Sequence, residues 1–458
     1  MLTLLFALAV LWGLRGLIVH RTAAAIAATF LLFSLFTRTV SLVYVDLAGP
    51  VYAEQLDTMV GGGASMPLFA MSILLLMAAL AHAFRPSVLV RVRIPERRSG
   101  QRIDVAGRVL FTITAGFVVA LYGDMLRRGV VPLLSGMDRL EYNASIAGPL
   151  HGWLAEMGFL LAGTLGAAFC MLRLQGRDFD FRFLALYLMV LAYFALTGNR
   201  FSAFYSFTSF FVLPLAAVPA MAAAGLLPEP PARSLWRRFV CSKTGLLVAV
   251  GTAAVSIVGL LLHSVITVRG YDAPFEQLAQ RTLIQPVELW WTTWNDLDRY
   301  GKGAFDEAWA GLFTNPIDPT RNTSIQMLML KHLGDERAQQ LLDMGQQYTG
   351  GYPEVLFELL GPWLALPAAL AFSVPTAILL RVCVLAVCER RLLTAFMAMY
   401  VFFGFSLLFI GGMLNFLVVW TFWAKIAVLC AVYVVERRQH SIRTRPRSLA
   451  VPAPSMTS

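Results

Sequence analysis

Apolar runs of about twenty residues recur from one end of the chain to the other, separated by short polar connections. A stretch of about 18 or more apolar residues with few charges reads as a membrane span, because the hydrocarbon core is about 30 Å thick and a helix rises about 1.5 Å per residue. The pattern predicts about eleven spans, at 2–19, 23–44, 67–84, 109–126, 150–172, 183–196, 201–227, 245–266, 355–382, 392–410 and 414–435. One long hydrophilic stretch, 269–354, interrupts them. The chain therefore divides into spans one to eight over 1–266, a polar loop over 267–354, spans nine to eleven over 355–435, and a basic, Pro- and Ser-containing tail over 436–458 that reads as disordered. The expected fold class is all-α, a polytopic membrane protein with one large helical loop between spans eight and nine.

Periodicity inside the loop is helical. Leu289, Trp290, Trp294 and Leu297 in ELWWTTWNDLDRY lie at near-helical spacing, and Asn322 or Thr323 is placed to cap a helix through Ile325, Leu328, Leu330 and Leu333. Asn315-Pro316 and Asp318-Pro319 mark the turn between them. Trp290, Trp291, Trp294 and Trp309 favour a membrane interface, so these helices are expected to lie on the membrane surface as a lid. The ninth span is long enough to contain a break at Gly361-Pro362.

Composition agrees: 58% of the 458 residues are hydrophobic and 14% charged. The net charge of +10 sits mostly in short connections such as RPSVLVRVRIPERRSGQRIDVAGR, where Lys and Arg set orientation, and so it does not indicate nucleic acid. Those basic connections fall on one side, which places the N-terminus outside and the C-terminus in the cytoplasm. The loop carries seven Lys and Arg against twelve Asp and Glu, and belongs on the outer face. MLTLLFALAVLWGL lacks a basic leader, with Arg15, His20 and Arg21 following it, so it is expected to be a retained span. Five scattered cysteines show no ligand spacing, and no nucleotide-binding loop, HExxH or GxSxG is present; neither metal nor cofactor is expected.

Arg200, in LALTGNRFSAF, stands beside Asn199 at an outer hairpin. Its planar guanidinium suits phosphate oxygens at headgroup level, the alternative being an arginine that snorkels to anchor its span. Arg127, Arg128, Arg139, Arg269, Arg281 and Arg321 add further outer cations, and several converging arginines would hold a diphosphate and stabilise it as a leaving group. Arg139 and Arg269 are each followed by recognition-like residues, Glu141-Tyr142-Asn143 and Tyr271-Asp272; Tyr352 and Glu354 at the loop exit are further candidate glycan contacts. His332 is the sole histidine of the loop, and an imidazole can take a proton from a hydroxyl; Glu141, Asp272, Glu354 and Glu358 are carboxylate alternatives. His151 and His263, near the ends of the fifth and eighth spans, read as packing residues, the alternative being a headgroup contact, and Arg38, Arg15 and Lys425 are the charges set within apolar runs.

The large late loop, the Gly198-Asn199-Arg200 hairpin, the preceding Asp-Arg-x-Glu-Tyr at 138–142 and the loop exit TGGYPEVLFELLGPW together resemble the Wzy-type oligosaccharide repeat-unit polymerases. The resemblance is diffuse and runs from the fourth span to the last. It implies a membrane glycosyltransferase of the GT-C type in the bacterial inner membrane, related in plan to the O-antigen ligases and working on the periplasmic side. Donor and acceptor would both be undecaprenyl-pyrophosphate-linked glycans in the bilayer, with a chain-length regulator as a further partner. Family arginines that bind pyrophosphate map best onto Arg200, then Arg139, Arg269 and Arg281, and the ligases' loop histidine has His332 as positional counterpart. A ligase, or a flippase or transporter of lipid-linked glycans, are the alternatives.

Overall fold

The computed structural model describes residues 1–85, 100–135, 137, 139–175, 178–199, 201–227, 274–300, 324–343 and 350–444. Its helices in order are α1 (Leu2–His20), α2 (Thr22–Ala27), α3 (Thr29–Ala48), α4 (Met66–Ala83), α5 (Gly100–Arg127), α6 (Pro132–Ser135), α7 (Arg139–Ser145), α8 (Pro149–Met171), α9 (Phe181–Leu196), α10 (Phe201–Val212) and α11 (Ala217–Ala223). After the eighth predicted span, which lies outside the described residues, come α12 (Pro274–Ala279), α13 (Glu288–Tyr300), α14 (Ser324–Leu333), α15 (Asp335–Asp343), α16 (Glu354–Cys388), α17 (Leu392–Gly411) and α18 (Trp420–Thr444). The protein is an all-α polytopic membrane protein. Eight described helical segments are long and apolar enough to cross a membrane: Leu2–His20, Thr29–Ala48, Met66–Ala83, Gly107–Ser135, Pro149–Gln175, Ser202–Ala223, Glu354–Cys388 and Leu392–Gly411. Phe181–Leu196 is apolar but shorter, and α18 carries Glu436, Arg437 and Arg438 beyond its apolar part.

Two predicted spans are subdivided. The second breaks at Ala28 into α2 and α3. The seventh passes through a tighter turn at Leu213–Ala216, where Pro214 has no N–H for the helical ladder. The expected break in the ninth is present: Gly361 has φ 66° and ψ 175°, a conformation open to glycine, and Pro362 follows it. The first turns of α16 are thereby set off from the apolar helix beyond.

α16 packs along α17 and α4, α1 packs on α4, and α10 runs along α8. The core is largely aromatic and aliphatic; Phe210, Phe402, Leu165 and Val190 are fully buried. Apolar faces of α1 and α5 stay uncovered, as lipid-facing surface does.

The strands among the described residues are β1 (Val51–Ala53) and β2 (Thr58–Val60), an antiparallel hairpin with Tyr52 opposite Met59. It sits where the sequence predicts only a connection, and it ties the loop down. Gln280 Nε2 donates to the Tyr52 carbonyl at 2.7 Å, and an Arg337 guanidinium N–H donates to the Glu54 carbonyl at 3.0 Å.

Helix α13 is not a free surface helix. Trp290 is fully buried, with Phe69 of α4 on one side and Phe357 of α16 on the other, ring centroids 5.5 and 5.2 Å away. An indole buries more apolar area between two rings than at an interface, so this tryptophan anchors the loop into the bundle.

Candidate functional site

Arg38 lies in the apolar α3, eight residues or about 12 Å of helix before Asp46. A buried guanidinium needs acceptors, and the late loop brings them. Arg38 Nε donates to the Pro286 carbonyl at 2.8 Å, and its other nitrogens bond the Tyr352 carbonyl and the Glu354 carboxylate. The side chains of Arg38 and Glu354 are 4% and 0% exposed, so this ion pair is dry. Nearby, Ser41 Oγ donates to the Thr282 carbonyl at 2.9 Å, so α3 holds the turn leading into α13 at two levels.

Glycines bring the loop exit to Arg38. A Cβ on Gly351 would lie 2.7 Å from the Gly412 backbone, and one on Gly412 would lie 2.6 Å from Gly351. The exit turn and the α17–α18 connection thus touch backbone to backbone, a contact that side chains would prevent. Tyr352 then drops its ring against Phe409, 4.6 Å between centroids, and donates its hydroxyl to the Ser72 carbonyl at 3.2 Å.

One helical turn after Glu354, Glu358 meets a second polar group. Lys331 Nζ lies 2.7 Å from Glu358 Oε2 and 3.0 Å from Asp296 Oδ2, and His332 Nε2 lies 3.3 Å from Glu358 Oε1. Three elements converge here, α13, α14 and α16. Glu358 is 3% exposed, and its partners neutralise it. Burial pulls the Lys331 ammonium down, but the bonds from Glu358 and Asp296 outweigh it and raise its pKa overall. With Nε2–H donating to Glu358, the Nδ1 lone pair of His332 can accept a proton. Such a pair can remove a proton from a hydroxyl while the carboxylate holds the ring's orientation and offsets the imidazolium charge.

Ligand atoms of Asp296, His332 and Glu358 lie within 4.8 Å of one another, a set that could hold a metal ion. In this structure the Lys331 ammonium lies against two of the three. The sequence shows no metal spacing because the three residues are far apart in the chain.

The other predicted site residues fall as follows. Arg200, Arg269, Tyr271 and Arg321 lie outside the described residues. Asn199 closes the hairpin, its Nδ2 donating to Thr197 Oγ1 at 2.9 Å, with Gly198 at φ 68° against Pro132. Arg139 begins α7, Glu141 is exposed on it, and Tyr142 is buried with its ring edge on His151. Burial raises the Tyr142 pKa. His151 is itself a bridge, Nδ1 to Tyr193 Oη at 3.0 Å and Nε2 to Asn143 Oδ1 at 2.9 Å, and so fixes α7 against α8 and α9. Arg281 lies in the wide turn Gln280–Ile284. Tyr352 and Glu354, expected at the glycan, are fully buried and engaged as described above.

His332 and Glu358, two of the sequence's alternatives for a base, are thus brought together. Arg38, Lys331 and Asp296 were not candidates for this site. A lone arginine in an apolar span is the signal for the first; ordinary surface-like spacing hides the other two.

A family model described as a family of unknown function, DUF6418, matches residues 318–424, a segment that contains Lys331, His332, Glu354, Glu358 and Gly361. No curated protein and no solved structure matches the chain.

Proposed function

We propose that this protein is a polysaccharide polymerase of the bacterial inner membrane, joining undecaprenyl-pyrophosphate-linked oligosaccharide repeat units by glycosyl transfer on the periplasmic side. The observation that carries this reading is the His332–Glu358 pair, formed where the large loop meets the helical bundle. The acceptor hydroxyl gives its proton to His332 Nδ1 as its oxygen attacks the anomeric carbon of the donor glycan. The bond from that carbon to the lipid diphosphate breaks, and the diphosphate leaves with the electron pair. Arg200, with Arg139, Arg269, Arg281 and Arg321, offsets the charge that develops on it. One displacement with one base inverts the anomeric configuration. The loop guides the acceptor, and the polar hairpin at Arg200 holds the donor.

The test is the surface polysaccharide of cells carrying Arg200→Ala or His332→Asn at wild-type protein levels. Single repeat units in place of a ladder support the reading, and undiminished polymer overturns it. An O-antigen-type ligase would leave unattached polymer instead.

A transporter or flippase of lipid-linked glycans is the second reading. It is favoured by the dry Arg38–Glu354 pair and the helix break at Gly361, features that transporters place on substrate paths. Purified protein in vesicles separates the two: a polymerase lengthens lipid-linked repeat units supplied on one face, whereas a transporter moves them without lengthening them.

A further inference from the structure

Glu288 opens α13 two residues after Pro286, whose carbonyl accepts from Arg38. It is 0% exposed, and neither carboxylate oxygen has a hydrogen-bond partner among the described residues. A buried carboxylate that is ionised and unpaired would cost several kcal/mol, so such groups are neutralised or bound. Among the described residues no cation acts on its carboxyl, Arg281 in the turn before α13 included. On the hairpin the charged groups are Glu54 and Asp57; on α16 they are Glu354, already paired with Arg38, and Glu358, already paired with Lys331 and His332. Arg38 spends its Nε on Pro286 and another nitrogen on Glu354. Among the described residues, the charge that acts on Glu288 is Glu54, and it is negative.

We infer that Glu288 is a proton-binding site, and that the loop segment 280–300 docks into the bundle together with one proton. Neutral Glu288 can be buried beside Trp290, whereas the ionised form favours a position in water. Burial, and then Glu54, push the carboxyl from 4.5 up to about 8, in keeping with that geometry. The sign follows from linkage. Between pH 4.5 and about 8 the docked form keeps a proton that the undocked form has lost, so docking weakens as pH rises, by about tenfold per unit, and levels off above about 8. The inference is independent of the polymerase reading: it concerns how the loop is held, and its readout is not glycan synthesis.

Hydrogen exchange on the full chain in lipid nanodiscs tests it, with rates corrected for the intrinsic pH dependence. Protection of amides in 288–297 should fall by about tenfold per pH unit from pH 5 to 8 in the native protein, and stay level in the near-isosteric Glu288→Gln. In Glu54→Gln the levelling should move to lower pH, because removing a negative neighbour lowers the carboxyl's proton affinity. The native protein should also show the infrared carbonyl stretch of a protonated carboxylic acid at pH 6, lost in Glu288→Gln. Protection that is flat with pH, or that falls equally in Glu288→Gln, overturns the proposal. Protection that follows sodium at fixed pH also overturns it, assigning the carboxylate to a metal cation instead.

Discussion

Replacing Arg38 by methionine keeps most of the side-chain volume and removes the charge. Three acceptors then lose their donor: the Glu354 carboxylate and the Pro286 and Tyr352 carbonyls. Because both side chains of the pair are almost wholly inaccessible, water does not replace the guanidinium. Stranding one member of a buried ion pair costs about 3–5 kcal/mol. Adding Glu354→Leu removes the stranded charge and leaves the two carbonyls, for which the cost is about 1–3 kcal/mol. The double variant should therefore be more stable than Arg38→Met alone, by about 2 kcal/mol. Reversible denaturation in mixed micelles measures this, with tryptophan fluorescence as the probe, since buried Trp290 sits on the same segment. The reasoning fails if Arg38→Met costs less than about 1 kcal/mol, or if the double variant costs the sum of the two single ones.

Trp290→Ala should lower stability in the same assay by about 3–5 kcal/mol, as the indole fills the space between Phe69 and Phe357; a loss within 1 kcal/mol, roughly, would mean α13 is not anchored there. Gly412→Ala should displace the loop exit, costing about 1–3 kcal/mol from the positive φ and the clash with Gly351. Gly411→Ala, whose Cβ would meet nothing nearer than 3.6 Å, serves as the control. If His332 is the base, His332→Asn should slow polymer extension by about 10²–10⁴-fold in vesicles, and Glu358→Gln should slow it less while leaving donor binding intact; equal rates for all three proteins would exclude this pair from the chemistry.

Much of the architecture is legible in the chain because a bilayer is a simple solvent. Each span must satisfy its own backbone and present apolar side chains, so α1, α4, α8 and α17 stand where uninterrupted apolar runs stand. The break at Gly361-Pro362 is equally local, one residue free to take positive φ followed by one that cannot donate. Tryptophan was ambiguous: the same indole suits an interface or a packed slot, and only the neighbours Phe69 and Phe357 decide for Trp290. The hairpin at 51–60 was not legible, since three-residue strands leave too short a pattern to read.

The candidate site divides along the same line. By itself the sequence determined that this is a helical membrane protein with one large polar loop, and it nominated His332 and Glu358 separately, since side-chain chemistry is a local property. Only the tertiary structure decided that they meet, that Lys331 and Asp296 join them, and that Arg38 in the second span is answered by Glu354, more than three hundred residues later. The physical reason is that a buried charge is settled by whichever partner the packing brings within reach. Sequence separation carries no information about that distance once the spans have assembled.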